Sequence, residues 1–362
     1  MSSRVPPPSA EEQLAFLTKL QRLYAEGDFT ATYKFALLIS LADLAVESGR
    51  DDGGALQLTV RQIAERFIGL YWRHVTPYAG QLSGAAPHVL SQNIGAQAAV
   101  LSAVAEFRAT TGLSSVLQAR ALPSYSALLT KVTTVVSAQP LNYLQNFGGV
   151  TDPFLYERSG PGRVTLKAGV AYCFRRFYPL VQQLSRSHWV DHIKANRRNQ
   201  PVLGEGADLE DFLFATSRQS LQVIGAELRK LDGARCFYCG HGLELADVDH
   251  FVPFSLYPRD LVGNFVLAHP GCNRSKSDTL AARPHLERWL ERLTKRADQL
   301  REIGLAAGVP ADQATLHRVA TWGYGNACGG GARAWQAPST YVPVDLSYLQ
   351  VLEGTGSAVG GG

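Results

Sequence analysis

The chain has 362 residues, a formal net charge of +4 and 46% apolar residues. That apolar share excludes a disordered chain. The five cysteines are too sparse for a disulfide framework, and the mild basicity permits a nucleic-acid partner without requiring one. The length suits two or three domains.

The first ten residues, with Pro6-Pro7-Pro8, read as a disordered leader lacking the apolar run of an export signal. Helical periodicity is expected from Glu11 to Glu26, on Leu14, Phe16, Leu17, Leu20 and Leu23. A second helix is expected from Thr30 to Glu47. Its apolar part, Ala31 to Val46, carries Lys34 and Asp43 and is too short and too charged to span a bilayer. A third follows Thr59, an N-cap candidate, to His74; its start has some helix-turn-helix character, but an amphipathic helix is the preferred reading.

Residues 75–92 are rich in Gly, Pro and Ser and read as a loop. Helices are then expected over 93–110 and 124–138, a short strand at Arg163–Leu166, and long helices over 168–196 and 208–230. Pro284 suits the first turn of a helix running to Ile303. The expected division is a leader (1–10), a helical targeting or regulatory domain (11–229), a small module (230–283), a C-terminal helix and appendix (284–355) and a disordered tail (356–362). The fold class is therefore mainly α, with one small mixed module.

The chemistry concentrates in that module. Cys236-Phe237-Tyr238-Cys239 has metal-knuckle spacing, and His269-x2-Cys272 supplies a second knuckle. Two such pairs form a closed tetrahedral N/S site suited to structural Zn²⁺. His241 is the alternative fourth ligand. Between and after the knuckles lie Asp247-Val248-Asp249-His250-Phe251-Val252-Pro253, then Asn264, then Asn273-Arg274-Ser275-Lys276-Ser277-Asp278. A neutral imidazole can take a proton from water near pH 7. Asp and Asn oxygens suit Mg²⁺ or Mn²⁺.

These residues resemble the HNH (ββα-metal, or His-Me finger) endonucleases. The Asp-Val-Asp-His … Asn-Arg-x-Lys-Ser-Asp run is similar to the HNH domain of RNA-guided CRISPR nucleases, in an H-N-N variant. The resemblance implies a zinc-stabilised ββα nuclease module with one catalytic metal. It makes His250 the general base and Asn264 the residue that orients it through the connecting loop. Asp249 and Asn273 become the Mg²⁺ or Mn²⁺ ligands, and Lys276 and Arg274 the contacts to scissile and flanking phosphates. Since adjacent strand residues face opposite ways, Asp249 and His250 can share a site only if the strand kinks or bulges at its end.

The implied activity is DNA endonuclease or nickase, with a role in bacterial restriction or anti-phage defence alongside partner proteins. RNA stays open as a substrate, and a catalytically inactive zinc-stabilised binding module is the alternative. A soluble cytoplasmic location is expected, because reduced thiols suit a metal site there.

Three flanking features carry weaker signals. Arg186 to Arg198 is a basic segment around Trp189 that reads either as a DNA-backbone track or as a helix with Trp189 in the core. His188 and His192 have metal-pair spacing without an evident third ligand. His285, Trp289, Tyr324, Trp335 and Tyr341 are expected to pack on the module or cover apolar surface.

Overall fold

The computed structural model describes residues 5–78, 87–203, 209–215 and 217–359, with side chains to 354. They form two compact units, Met1–Ala215 and Thr216–Gly362.

The first unit contains α1 (Ala10–Glu26), α2 (Tyr33–Ser48), β1 (Leu56–Thr59), α3 (Val60–Trp72), α4 (Ala99–Thr111), α5 (Val116–Arg120), α6 (Tyr125–Ala138) and α7 (Pro140–Tyr143). Two short strands, β2 (Asn146–Phe147) and β3 (Val150–Thr151), form a hairpin. Then come β4 (Tyr156–Arg158), β5 (Arg163–Leu166), α8 (Val170–Arg176), α9 (Tyr178–Ala195) and α10 (Leu209–Phe214). A small antiparallel sheet has the order β1-β5-β4. The core is built on α2, buried from Tyr33 to Glu47 and contacted by α3, α7, α8 and α9. A helix apolar on nearly every side has no solvent face to offer.

Many polar groups of this core are matched, while Gln182 Oε1, Gln92 Nε2 and His74 Nδ1 are buried without a hydrogen-bond partner among the described residues. Asp43 on α2 accepts hydrogen bonds from Tyr178 Oη (2.6 Å) and Gln182 Nε2 (2.8 Å). Trp189 is fully buried and donates to Gln92 Oε1 at 2.8 Å. His74, also fully buried, places Nε2 3.1 Å from the Leu213 carbonyl, among Tyr71, Trp189 and Phe214.

The second unit contains α11 (Arg218–Asp232), β6 (Asp247–His250), a 3₁₀ turn (Val262–Asn264), β7 (Phe265–Ala268) and α12 (Pro270–Lys276). There follow α13 (Arg283–Lys295), α14 (Ala297–Ala307), α15 (Gln313–Gly329), the hairpin β8 (Arg333–Ala337) and β9 (Thr340–Pro343), and α16 (Leu346–Val359). β6 and β7 pair antiparallel from Asp247↔Ala268 to His250↔Phe265. α11 lies against both strands. Gly225 makes that approach close: a Cβ there would stand 3.1 Å from Val248 Cγ2. On α13, Trp289 stacks on Phe251 (4.6 Å between centroids) and donates to the Gly263 carbonyl at 2.9 Å.

Several expectations are corrected. Residues 5–10 are mostly exposed but tied down by hydrogen bonds: Ser9 forms a capping box with Glu12, and the Val5 carbonyl accepts from Gly53 N–H at 3.1 Å. Residues 1–4 lie outside the described residues, as do 79–86 of the expected 75–92 loop. The helix expected over 93–110 begins only at Ala99. The helix expected over 168–196 breaks at Phe177, just before Pro179. That expected over 208–230 is split into α10 and α11, and that from Pro284 breaks at Arg296.

The 229/230 boundary moves to 215/216 because α11 covers the β6–β7 hairpin. The stretch 284–355 is part of the second unit rather than an appendix, since Trp335 packs on Tyr238 and bonds Ser275. α16 runs to Val359, through the start of the expected tail; 360–362 lie outside the described residues. In the basic segment 186–198, Trp189 is in the core and Arg186 is buried over the Phe214 ring, while Lys194, Arg197 and Arg198 are exposed. His188 stacks on Tyr24 and His192 lies edge-on to Phe35. The strand at Arg163–Leu166 and the Thr59 cap are found as expected. No helix among the described residues is long and apolar enough to cross a membrane.

Burial brings His74 down from the ordinary histidine value to about 4. Below about pH 6.5 the unfolded chain takes up a proton that folded His74 refuses, so stability falls until about pH 4, where both states are protonated. The first unit should lose roughly 3 kcal/mol across this window. Denaturant melts at stepped pH should show the loss and its flattening in His74→Gln; an unchanged acid slope in that variant would contradict the assignment.

Candidate active site and metal centre

Cys236, Cys239, His269 and Cys272 place one ligand atom each within 4.8 Å of one another. The first pair sits on a tight turn before β6, with Gly240 at φ +74°, a conformation that favours glycine. The second pair straddles the start of α12: His269 is the N-cap residue and Cys272 lies in the first turn. With its Nε2–H donating to the Gly242 carbonyl (2.9 Å), His269 presents Nδ1 to Cys239 Sγ at 3.3 Å. That outer hydrogen bond fixes the ring as metal-bound histidines require. His241 is outside the cluster and engages it only through its backbone carbonyl, which accepts from Cys236 N–H.

The thiols are electrostatically unequal. Burial pushes Cys236 up, but backbone N–H groups of Cys239, His269 and Tyr238 outweigh it and bring it down to about 7. Cys272 is pushed up to about 12 by burial and by the neighbouring Cys236 and Cys239. Crowded sulfurs that oppose one another's ionisation are relieved by a shared cation, and three S and one N are a donor set for zinc. The cluster can hold a metal ion such as zinc.

Directly beyond the cluster, α12 lies against β6. Asp247 and Asp249 share one strand face by the two-residue alternation. Asn273 Nδ2 donates to Asp247 Oδ2 at 3.0 Å. Asp249 is buried; its Oδ2 accepts from Tyr238 Oη (2.6 Å) and lies 3.2 Å from Lys276 Nζ. Burial and the adjacent Asp249 carboxylate hold the Tyr238 phenol well above its ordinary value, so it is a neutral donor. Asn273 thus bonds Asp247, two residues back on the same strand face from the expected ligand Asp249, whose carboxylate is engaged by Tyr238 and Lys276.

Lys276 requires a larger correction. It is fully buried, and its ammonium donates to the His250 carbonyl at 2.9 Å besides facing Asp249. Burial lowers its pKa, with Asp249 opposing. It cannot reach a phosphate from this position; it ties the end of α12 to β6. Arg274, on the same helix, is exposed.

His250 closes β6. The ladder runs through it without a register shift, so the expected kink is not present in the pairing. Its Nε2 lies 2.6 Å from Asp260 Oδ1, its side chain is 22% exposed, and its ring is flanked by Phe254 and Phe265. With Nε2–H donating to Asp260, Nδ1 carries the lone pair. Asn264 is fully buried and clasps Val252, accepting from its N–H (2.8 Å) and donating to its carbonyl (2.9 Å). That bond fixes the turn immediately after His250.

Asp260, Asp247 and Tyr238 escaped the sequence reading. Asp260 sits in an irregular loop with no fixed spacing to His250. Asp247 was legible as the first acid of Asp-Val-Asp-His, and Tyr238 looked like filler between two cysteines.

Residues 13–210 match the family described as Domain of unknown function (DUF8808), and the chain belongs to that family. The matched stretch lies within the first unit, apart from the metal cluster and the acidic strand. No curated protein matches the chain.

Two outcomes are expected here. The purified chain should carry one tightly held metal, measured by elemental analysis. Cys236→Ser, Cys272→Ser and His269→Ala should each lose it and lower the melting temperature of the second unit; full retention by His269→Ala would remove it from the ligand set. Lys276→Met should destabilise the second unit by about 3–5 kcal/mol, because it strands a buried carboxylate. Adding Asp249→Asn should recover part of that loss in urea melts; a near-neutral single variant would show that the pair is not locked.

Proposed function

We propose that this DUF8808 member is a divalent-metal-dependent endonuclease that hydrolyses phosphodiester bonds in DNA, with the second unit as its catalytic part. The observation that carries the reading is an oriented imidazole, His250 on Asp260, at the end of a strand whose other face bears Asp247 and Asp249, with Asn273 hydrogen-bonded to Asp247. Carboxylate and amide oxygens fit Mg²⁺ or Mn²⁺. Asp247 and Asn273 form the half-buried part of that donor set, and Asp249 would join it by exchanging Lys276 and Tyr238 for the ion. When bound, the ion supplies charge stabilisation at the scissile phosphate and the leaving oxygen.

His250 Nδ1 accepts the proton of the attacking water, and Asp260 steadies the imidazolium that results. Asn264 holds the turn behind the ring. Arg274, exposed on α12, suits a flanking phosphate. A single site of this kind cuts one strand, so nicking is the expected primary event. A role in restriction or anti-phage defence, with partner proteins and in the cytoplasm, belongs to this proposal. So does the DNA substrate, with RNA as an arm of the test.

Two observations favour a second reading, a zinc-stabilised binding module without catalysis. The regular β6 pairing leaves His250 on the strand face opposite Asp247 and Asp249, so the imidazole serves an ion held there only if the chain turns at the strand end. The Asp249 carboxylate is already neutralised by a buried ammonium.

Supercoiled plasmid, relaxed and branched DNA, and single-stranded RNA, each with Mg²⁺ or Mn²⁺, separate the two. The wild type should nick DNA. His250→Ala should lower the rate about 10²–10⁴-fold. Asp260→Asn should lower it less and move the acidic limb of the pH–rate profile. A wild type as inert as His250→Ala on every substrate would leave the binding module as the account.

A further inference from the structure

We infer that the first unit has its own binding site for a small anionic molecule, with a phosphate or carboxylate head group received by Lys34. Lys34 stands in the first turn of α2 and is only 7% exposed. Its ammonium lies 5.3 Å from the centroid of the Phe29 ring and has no hydrogen bond or ion pair among the described residues. It lines a cavity of about 700 Å³, together with Thr30, Asn93, Gln139 and Tyr143. Its stem is buried while its ammonium opens on the cavity, so the charge is available there without a fixed protein partner. Burial does lower the Lys34 pKa; the exposed Asp28 at the cavity opposes this without bonding it.

The helix end beneath the cavity points to the same ligand charge. α2 has no side-chain cap. Its N-cap residue, Thr32, spends its hydroxyl on Tyr71 and Gln92 instead. An uncapped N-terminus of a 16-residue helix presents partial positive charge and unspent N–H donors, which favour an anion. The Tyr33 hydroxyl serves α4 by accepting from Val100 N–H, so it does not fill the gap.

The cavity's size suits a ligand of nucleotide dimensions. Tyr143, 51% exposed, gives a flat ring a surface to stack on. The amides of Asn93 and Gln139 can read polar edges. One ammonium suits one oxyanion head rather than a polyphosphate. The Lys276 ammonium makes the contrast: fully buried, it has oxygens around it, whereas the less buried Lys34 faces an aromatic ring and the cavity.

Full-length protein is titrated with AMP, GMP, inorganic phosphate and 4-hydroxybenzoate, followed by calorimetry and thermal shift. Binding of AMP or GMP is expected, with at least ten-fold loss in Lys34→Met and a melting temperature of the free variant equal to or above wild type. Ala138→Trp, at an exposed lining position, should block the cavity while leaving the fold intact. Binding of 4-hydroxybenzoate as well assigns a general oxyanion head; nucleotides with phosphate but not benzoate assign a phosphate head. Absence of binding by all four probes, or equal binding in both variants, overturns the site. None of these readouts depends on DNA cleavage.

Discussion

The second unit depends on one constraint: three thiols and an imidazole must share a space under 5 Å across. Without a cation the sulfurs oppose one another, as the elevated Cys272 thiol records. With one, the turn before β6 and the first turn of α12 are clamped together. The rest follows from that clamp. Asn273 comes one residue after Cys272 and is thereby set against Asp247. Lys276, one turn on, is driven into the strand, where the His250 carbonyl and Asp249 surround it. A short strand pair and a seven-residue helix have little core of their own, so a bound ion would supply much of the stability.

Asp249 marks where stability and the proposed chemistry would compete. Its carboxylate is satisfied by Tyr238 and Lys276, an arrangement that stabilises α12 against β6 and also withholds an oxygen from any divalent ion. Exchanging an internal ammonium for an external cation leaves the local charge balanced only if Lys276 finds other oxygens. The His250 and Ser277 carbonyls already lie within its reach. His250 itself, oriented by Asp260, does not depend on this exchange.

Much of the metal centre was legible in the sequence, because ligand spacing and the knuckle turns are local properties. Cys236-x2-Cys239 and His269-x2-Cys272 carry their geometry in the spacing alone. The helical character of the first unit was legible from periodicity, and Trp189 from its place inside a basic stretch. What could not be read is non-local. Nothing in Arg218–Asp232 announces that its partner is a hairpin downstream, and Gly225 looks like an ordinary helix glycine until Val248 meets it. Lys276 read as a phosphate-contacting cation because lysine usually reaches solvent; its burial is set by α12 docking on β6. Helix breaks at Phe177 and Arg296 were missed because apolar periodicity runs on through both junctions.

X-ray absorption at the zinc edge of the purified full-length chain tests the clamp most directly. The account predicts three sulfur neighbours near 2.3 Å and one nitrogen near 2.0 Å. A shell of nitrogen and oxygen alone, or no bound metal of any kind in a folded chain, would contradict it.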